Sequence, residues 1–277
     1  MPIQLGYNTN GFAHHQLDDA ITILAELGYT GVAITLDHNA LNPFDPNSAA
    51  QAEKTRDLLR THKMSCVVET GARFLLDPRH KHWPTLISNN AEDRTRRIDF
   101  LNRAIDIAAI LDAPIVSLWS GAKDADTTDD DAMARLIDGC RTVLNHAAAR
   151  DIRLAFEPEP GMFIDTMDRF RQLHESIAHP AFGLTLDLGH VHCQRDGTPE
   201  DRIREFADVL WNIHIEDMRR DVHDHLPIGE GDMNFHPIFK ALKDVNYTGP
   251  VNIELSRHSH DAVNTARNAM HALQTFL

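Results

Sequence analysis

The sequence predicts a (β/α)8 TIM barrel, an α/β fold in which eight parallel strands alternate with helices. Short apolar runs alternate with longer amphipathic stretches along the 277 residues, and a barrel of this kind usually has about 250 residues. A second observation argues against an open doubly wound sheet. The first predicted strand is followed by NTNGFAHHQ, which lacks the glycine-rich pattern of a phosphate loop.

The predicted strands are short apolar runs that alternate with helical patterns, as parallel strands do. They are Ile3–Asn8, Gly31–Leu36, Ser65–Glu69, Ile115–Leu118, Ile152–Phe156, Gly183–Leu186, Trp211–Ile215 and Val251–Ile253. The predicted helices are Leu17–Leu27, Ser48–His62, Arg94–Leu111, Asp129–Ala149, Met167–Ile177, Glu200–Phe206, Phe235–Val245 and Asp261–Phe276. Turn residues such as Gly28 and Pro114 separate several helices from the next strand. We therefore expect one barrel domain over residues 1–277.

The composition excludes several classes of protein. A net charge of −14 argues against general binding to nucleic acid, which requires clustered Lys and Arg. No apolar stretch reaches membrane-spanning length, and the amino terminus has no secretory signal pattern. The three cysteines, Cys66, Cys140 and Cys193, form no CxxC motif and are typical of a reducing compartment. We expect a cytoplasmic protein without a nucleic acid or membrane partner.

Four consecutive predicted strands end in polar residues, namely Glu157, Asp187, His214 and Glu254. The carboxyl ends of barrel strands carry the active site. Three carboxylates there would repel one another, and a divalent cation relieves that repulsion. One imidazole and three carboxylates suit Mn²⁺, Mg²⁺, Zn²⁺ or Co²⁺. The alternative is that these residues are helix caps or solvated strand ends.

The segments EPEPG, LDLGH, NIHIED, IGEGDMNF and VNIEL resemble, in order and spacing, those of the sugar phosphate isomerase/epimerase superfamily. These are the xylose isomerase-like TIM barrels of the AP endonuclease 2 type, and they include ketose 3-epimerases, inosose dehydratases and metal-dependent apurinic-site endonucleases. The resemblance covers nearly the whole chain. It implies that Glu157, Asp187, His214 and Glu254 are the ligands of one divalent cation.

The resemblance leaves a second metal ion open. His190 matches a histidine that contacts substrate in epimerases and binds another zinc in the endonucleases. With His223 and His225 it would form a second site of three imidazoles, which suits zinc. Alternatively, His225 contacts substrate or orients a loop and His223 is exposed. Glu69 and Trp119 stand where the endonucleases have histidine ligands, which argues against a trinuclear centre.

The resemblance implies a metal-dependent isomerase or epimerase acting on a ketose or keto-polyol. Glu157 and Glu254 would move a proton next to a metal-bound carbonyl. The expected substrate-binding residues are His190, Glu159, Arg219 (or Arg220) and Trp119. The same site would also suit a keto-inositol dehydratase or a 3-keto-glycoside lyase. Two further alternatives are a zinc phosphodiesterase or endonuclease-like hydrolase and a non-catalytic binding protein. The expected partner is a small sugar-like molecule, and the resemblance implies a homodimer or homotetramer.

Overall fold

Eight parallel strands form a closed barrel in this computed structural model, which describes residues 3–277. The strands are β1 (Gln4–Asn8), β2 (Gly31–Thr35), β3 (Ser65–Glu69), β4 (Ile115–Leu118), β5 (Arg153–Phe156), β6 (Phe182–Asp187), β7 (Leu210–Ile215) and, after the hairpin strands β8 (Asp217–Arg219) and β9 (Val222–Leu226), β10 (Pro250–Ile253). Their order around the barrel is β1-β10-β7-β6-β5-β4-β3-β2. This topology confirms the predicted (β/α)8 fold.

Helices follow the barrel strands, as the sequence predicts. They are α1 (Leu17–Glu26), α2 (Ser48–His62), α3 (Ala91–Ile110), α4 (Asp129–Ala148), α5 (Met167–Ile177), α6 (Leu188–Gln194), α7 (Pro199–Glu205), α8 (Phe235–Asp244) and α9 (Ala262–Gln274). The largest difference from the predicted bounds is at α3, which begins three residues before the predicted Arg94. Asn90 explains the earlier start, because its side chain caps the helix by accepting a hydrogen bond from the Glu92 N–H.

Two elements near the carboxyl ends of the strands were not predicted. Helix α6 begins directly after β6, and Asp187 is its N-cap, accepting a hydrogen bond from the His190 N–H at 2.8 Å. The antiparallel hairpin of β8 and β9 follows β7. An aspartate at a strand end is also a good helix cap, and the apolar periodicity of a seven-residue helix is too short to identify.

Contacts divide the chain into two compact units. The first consists of Met1–Ile34, Asp57–Val67 and Leu184–Leu277. The second consists of Thr35–Arg56 and Val68–Gly183. The single domain expected over residues 1–277 remains a prediction, and its first two residues lie outside the described part of the chain.

Each unit has its own aromatic core. In the first unit, the buried rings of Tyr7 and Tyr29 lie edge to face with centroids 5.5 Å apart, and the Tyr29 hydroxyl donates to the Ala266 carbonyl at 2.7 Å. In the second unit, the Phe156 ring lies 5.8 Å from Phe182 and 6.4 Å from Phe170. Burial of such rings contributes strongly to stability and anchors the strands that carry the polar residues described next.

Within residues 3–277, no helix is both long enough and apolar enough to cross a membrane.

Candidate metal centre

Three of the four predicted ligands come together in the first unit. Asp187 ends β6, His214 lies in β7 and Glu254 directly follows β10. One donor atom from each of these side chains lies within 4.8 Å of the other two. His214 Nδ1 is 2.9 Å from Glu254 Oε2. The three residues can therefore share one small cation.

Two hydrogen-bonded asparagine side chains, Asn212 and Asn252, orient the His214 ring. The Asn212 side-chain amide lies 3.3 Å from His214 Nε2, and its Oδ1 accepts a hydrogen bond of 2.9 Å from the Asn252 amide. All three side chains are buried. Because Asn212 lies on the Nε2 side of the ring and donates to that nitrogen, Nδ1 is the nitrogen that faces the carboxylates.

The Glu254 carboxylate is held in place and kept ionised. Its Oε1 accepts a 2.7 Å hydrogen bond from the Asn10 amide. Burial raises the pKa of Glu254, but the charge and hydrogen bond of His214, together with the charges of His225 and His190, lower it, so the pKa falls below its usual value. An ionised, anchored carboxylate beside an imidazole is suited to bind a cation.

Asp187 carries the observation that most directly fits the binding of a cation. Its Oδ1 accepts the His190 N–H, whereas its buried Oδ2 accepts no hydrogen bond from any of the described residues. Buried carboxylate oxygens are rarely left without a partner. Oxygen and imidazole donors of this kind fit Mn²⁺, Mg²⁺, Zn²⁺ or Co²⁺, so the residues present fit the expected metal.

A further buried acid, Glu216, was missed by the sequence interpretation. It is completely buried and can offer an oxygen within 4.8 Å of donor atoms of Asp187 and His225. Burial raises the pKa of Glu216 well above its usual range, and the charges of Asp187 and Glu254 raise it further. Its place two residues after His214 was the available signal, because alternate residues of a strand share a face.

Three imidazoles meet beside this centre. His190 and His223 approach through their Nε2 atoms at 3.1 Å, and His225 Nε2 lies 3.3 Å from His223 Nε2. Burial lowers the pKa of His190 to about 4, although Asp187 opposes the shift, and burial followed by the charge of His225 lowers that of His223. His223 is half-buried in the cluster and not exposed. Neutral imidazoles with converging nitrogens are suited to a metal such as zinc.

The remaining predicted residues of the second unit lie at or after the ends of its strands. Glu157 follows β5, is 5% exposed, and its N–H donates to the Leu118 carbonyl at 2.8 Å. Glu159 is half-buried in the loop beyond it, where its N–H donates to the Ile164 carbonyl at 3.0 Å. Trp119 follows β4 and is buried.

Trp119 has ring contacts on two sides. The His82 ring lies edge to face with it at 5.1 Å, and the Arg97 guanidinium lies 5.1 Å from its ring centroid. Both partners belong to the second unit. These contacts account for the burial of the indole, and its role as a wall for a sugar remains a prediction.

The two arginines that follow β7 lie on the exposed side of the hairpin. Arg219 donates to the Glu230 carbonyl at 2.9 Å. Arg220 lines a cavity of about 320 Å³ together with His192 and Arg195. Contact with substrate remains a prediction for Arg219 or Arg220.

Comparisons with known proteins agree with this fold. The profile of the xylose isomerase-like TIM barrel family matches residues 21–276. The L-ribulose-5-phosphate 3-epimerase UlaE of Salmonella heidelberg (strain SL476) is 23% identical over 237 residues, which cover 85% of this chain and 80% of the relative.

Two solved structures illustrate the range of named activities on this fold. A D-allulose 3-epimerase from Methylomonas sp. superposes with a TM-score of 0.80 at 18% identity, covering 99% of this chain and 98% of the other. The probable 3-DHS dehydratase AsbF from Bacillus anthracis has a TM-score of 0.79 at 17% identity, covering 98% and 99%. At these identities the likeness shows a shared fold and no more.

Proposed function

The chain belongs to the xylose isomerase-like TIM barrel family, and from that premise we propose that it is a divalent-metal-dependent sugar isomerase or epimerase. The observation that carries the proposal is the buried Asp187 oxygen that accepts no hydrogen bond among residues 3–277, in a carboxylate that has a donor atom within 4.8 Å of donor atoms of His214 and Glu254. The named relative UlaE, a ketose-phosphate 3-epimerase, supports a small sugar or sugar phosphate as substrate.

We propose Glu157 as the fourth ligand of the cation. It follows β5, the neighbour of β6 in the strand order, and it is buried. This place in the strand order supports Glu157 as the residue that would complete the ligand set with Asp187, His214 and Glu254. Three carboxylates and one imidazole favour Mn²⁺, Mg²⁺, Co²⁺ or Zn²⁺.

The proposed reaction is a proton transfer next to the substrate carbonyl. When bound, the cation would supply Lewis-acid chemistry that polarises this carbonyl. Glu254 would accept the proton, since its carboxylate is fixed at the site, with Oε1 anchored by Asn10 and Oε2 beside His214. Glu157 would return a proton on the opposite face, which inverts the carbon. His190, Glu159, Arg219 and Trp119 would bind the substrate oxygens and the sugar face.

We propose that His190, His223 and His225 hold a second metal ion. The close approach of their three Nε2 atoms supports this proposal. A neutral imidazole carries only one ring hydrogen, so a ring nitrogen without that hydrogen offers a lone pair, which a metal ion can bind. His225 is oriented by its Nδ1, which lies 3.1 Å from the Glu254 carbonyl oxygen and is suited to donate to it. Elemental analysis would give two metals per chain, and a single metal per chain would contradict this second site.

The test is to incubate the metal-loaded protein in D2O with ketoses, keto-inositols and their phosphates. We expect a product of unchanged carbon skeleton that carries solvent deuterium at one carbon. Glu157→Gln and Glu254→Gln should each abolish turnover, whereas the control Glu205→Gln, which changes an exposed carboxylate, should keep it. Full activity in both variants would contradict the proposed roles.

The mass of the product separates the competing reactions. Loss of water would indicate a dehydratase, and loss of a sugar from a glycoside would indicate a lyase. Hydrolysis of a phosphodiester would indicate the endonuclease-like alternative. A homodimer or homotetramer in the cytoplasm remains the prediction for the assembly and location.

A further inference from the structure

We propose that Glu216 is a positioning residue that couples the two cation positions, through Asp187 at the first and His225 at the second. This inference rests on the metal centre of the proposed function. It assigns a role to a carboxylate that belongs to neither of the two ligand sets, Glu157–Asp187–His214–Glu254 and His190–His223–His225.

Glu216 lies between members of the two sets. It offers an oxygen within 4.8 Å of donor atoms of both Asp187 and His225. Its Oε2 is 3.7 Å from His225 Nδ1, on the side of the ring away from the nitrogen that meets His223. Asp187 contributes to the first cation and His225 to the second, so one buried carboxyl group lies beside both.

The backbone is shaped to admit this side chain. A Cβ added to Gly189 would lie 1.9 Å from Glu216 Oε1 and 2.9 Å from the terminal carbon of Met218. Gly189 stands between Asp187 and His190 at the start of α6. Glycine at this position therefore leaves the space that Glu216 occupies.

A purely structural role does not account for Glu216. The neighbouring Asp217 is equally buried, and its oxygens accept hydrogen bonds from the N–H groups of Met218, Gly229 and Met233. By contrast, neither Glu216 oxygen accepts a hydrogen bond from the part of the chain that the structure describes. Buried carboxyl oxygens are rarely left without a partner, so these two oxygens are available to cations at the neighbouring positions.

The test compares Glu216→Gln with the wild-type full-length protein. The metal-free proteins are titrated with Co²⁺ and Zn²⁺, with calorimetry for the two dissociation constants and visible absorption for the Co²⁺ ligand geometry. In the variant, one Glu216 oxygen becomes an NH2 donor beside Asp187, and the side chain can no longer carry a negative charge near either position. We expect affinity at both positions to fall by about 10- to 100-fold, with an altered Co²⁺ spectrum.

Gly189→Ala tests the same role by displacement and keeps the carboxylate. It should lower affinity at both positions as well, and it serves if Glu216→Gln fails to fold by circular dichroism. Glu205→Gln is the control for loss of one exposed negative charge and should bind like the wild type.

The outcomes separate this inference from the proposed function. A wild-type chain that binds no metal would overturn both. A wild type with two bound metals and variants with unchanged dissociation constants would overturn only the role of Glu216. A fall in affinity at one position alone, or a wild type with only one metal, would overturn the coupling.

Discussion

Asn in place of Asp217 should destabilise the protein strongly without touching the predicted ligands. Asp217 Oδ1 accepts from the N–H groups of Met218 at 3.0 Å and Met233 at 3.1 Å, and Oδ2 accepts from Gly229 at 2.9 Å. The side chain is 1% exposed, so water cannot replace these bonds. Both ends of the loop of residues 229–233 are thus held by hydrogen bonds to the Asp217 carboxylate.

The expected magnitude follows from what the amide can still do. The retained oxygen can serve two of the donors, but the NH2 group would face the third N–H. One backbone donor and one side-chain donor would then be buried without acceptors. At about 1–3 kcal/mol for each unsatisfied buried group, Asp217→Asn should lower the free energy of unfolding by about 2–6 kcal/mol.

Equilibrium urea unfolding followed by circular dichroism measures this loss as a shift in midpoint at unchanged slope. The control Asp244→Asn removes an exposed carboxylate paired with Lys240 and Arg204, and its effect should stay below about 1 kcal/mol. A loss for Asp217→Asn no larger than that of the control would refute the reasoning about the loop.

Three other perturbations have defined outcomes. Burial lowers the pKa of both His82 and His190 from 6.5 to about 4, so between these pH values the unfolded chain binds more protons than the folded one. The free energy of unfolding of the metal-free protein should be at its full value above pH 6.5 and fall by up to about 3 kcal/mol per histidine as the pH drops to 4. Urea midpoints independent of pH would contradict this. Phe156→Ala should cost about 3–5 kcal/mol in urea, because its buried ring packs against Phe182, and a loss under 1 kcal/mol would contradict that packing. Adding Mn²⁺ to chelator-treated protein should raise its melting temperature, since about 2.7 kcal/mol is gained at a hundredfold excess over Kd, and an unchanged melting temperature would argue against metal binding.

The barrel could be predicted from the sequence because each strand is a local signal. Apolar runs such as Ile115–Leu118 are bounded by turn residues, and the structure places β4 over the same range. Polar residues such as Asp187 and Glu254 interrupt these runs at their ends. In a parallel barrel those ends lie together, so the ligand candidates could be named before any coordinates.

The parts that escaped prediction depend on contacts distant in sequence. Glu216 is defined by its closeness to Asp187 and His225, and NIHIED reads equally well as a strand followed by an exposed turn. Glycine is needed at position 189 only because the Glu216 side chain occupies the space that a Cβ would fill. Arg219 bonds to a carbonyl eleven residues away, and no local pattern indicates that contact.

Asp187 joins two elements at one residue, because it ends β6 and caps α6. Its Oδ1 is already immobilised by the backbone of the helix, so little rotamer freedom is left to lose when an ion arrives. A metal centre built on this residue would be preorganised during folding rather than at the moment of binding. Because α6 also carries His190, the cap that fixes Asp187 also fixes the start of the helix on which His190 stands.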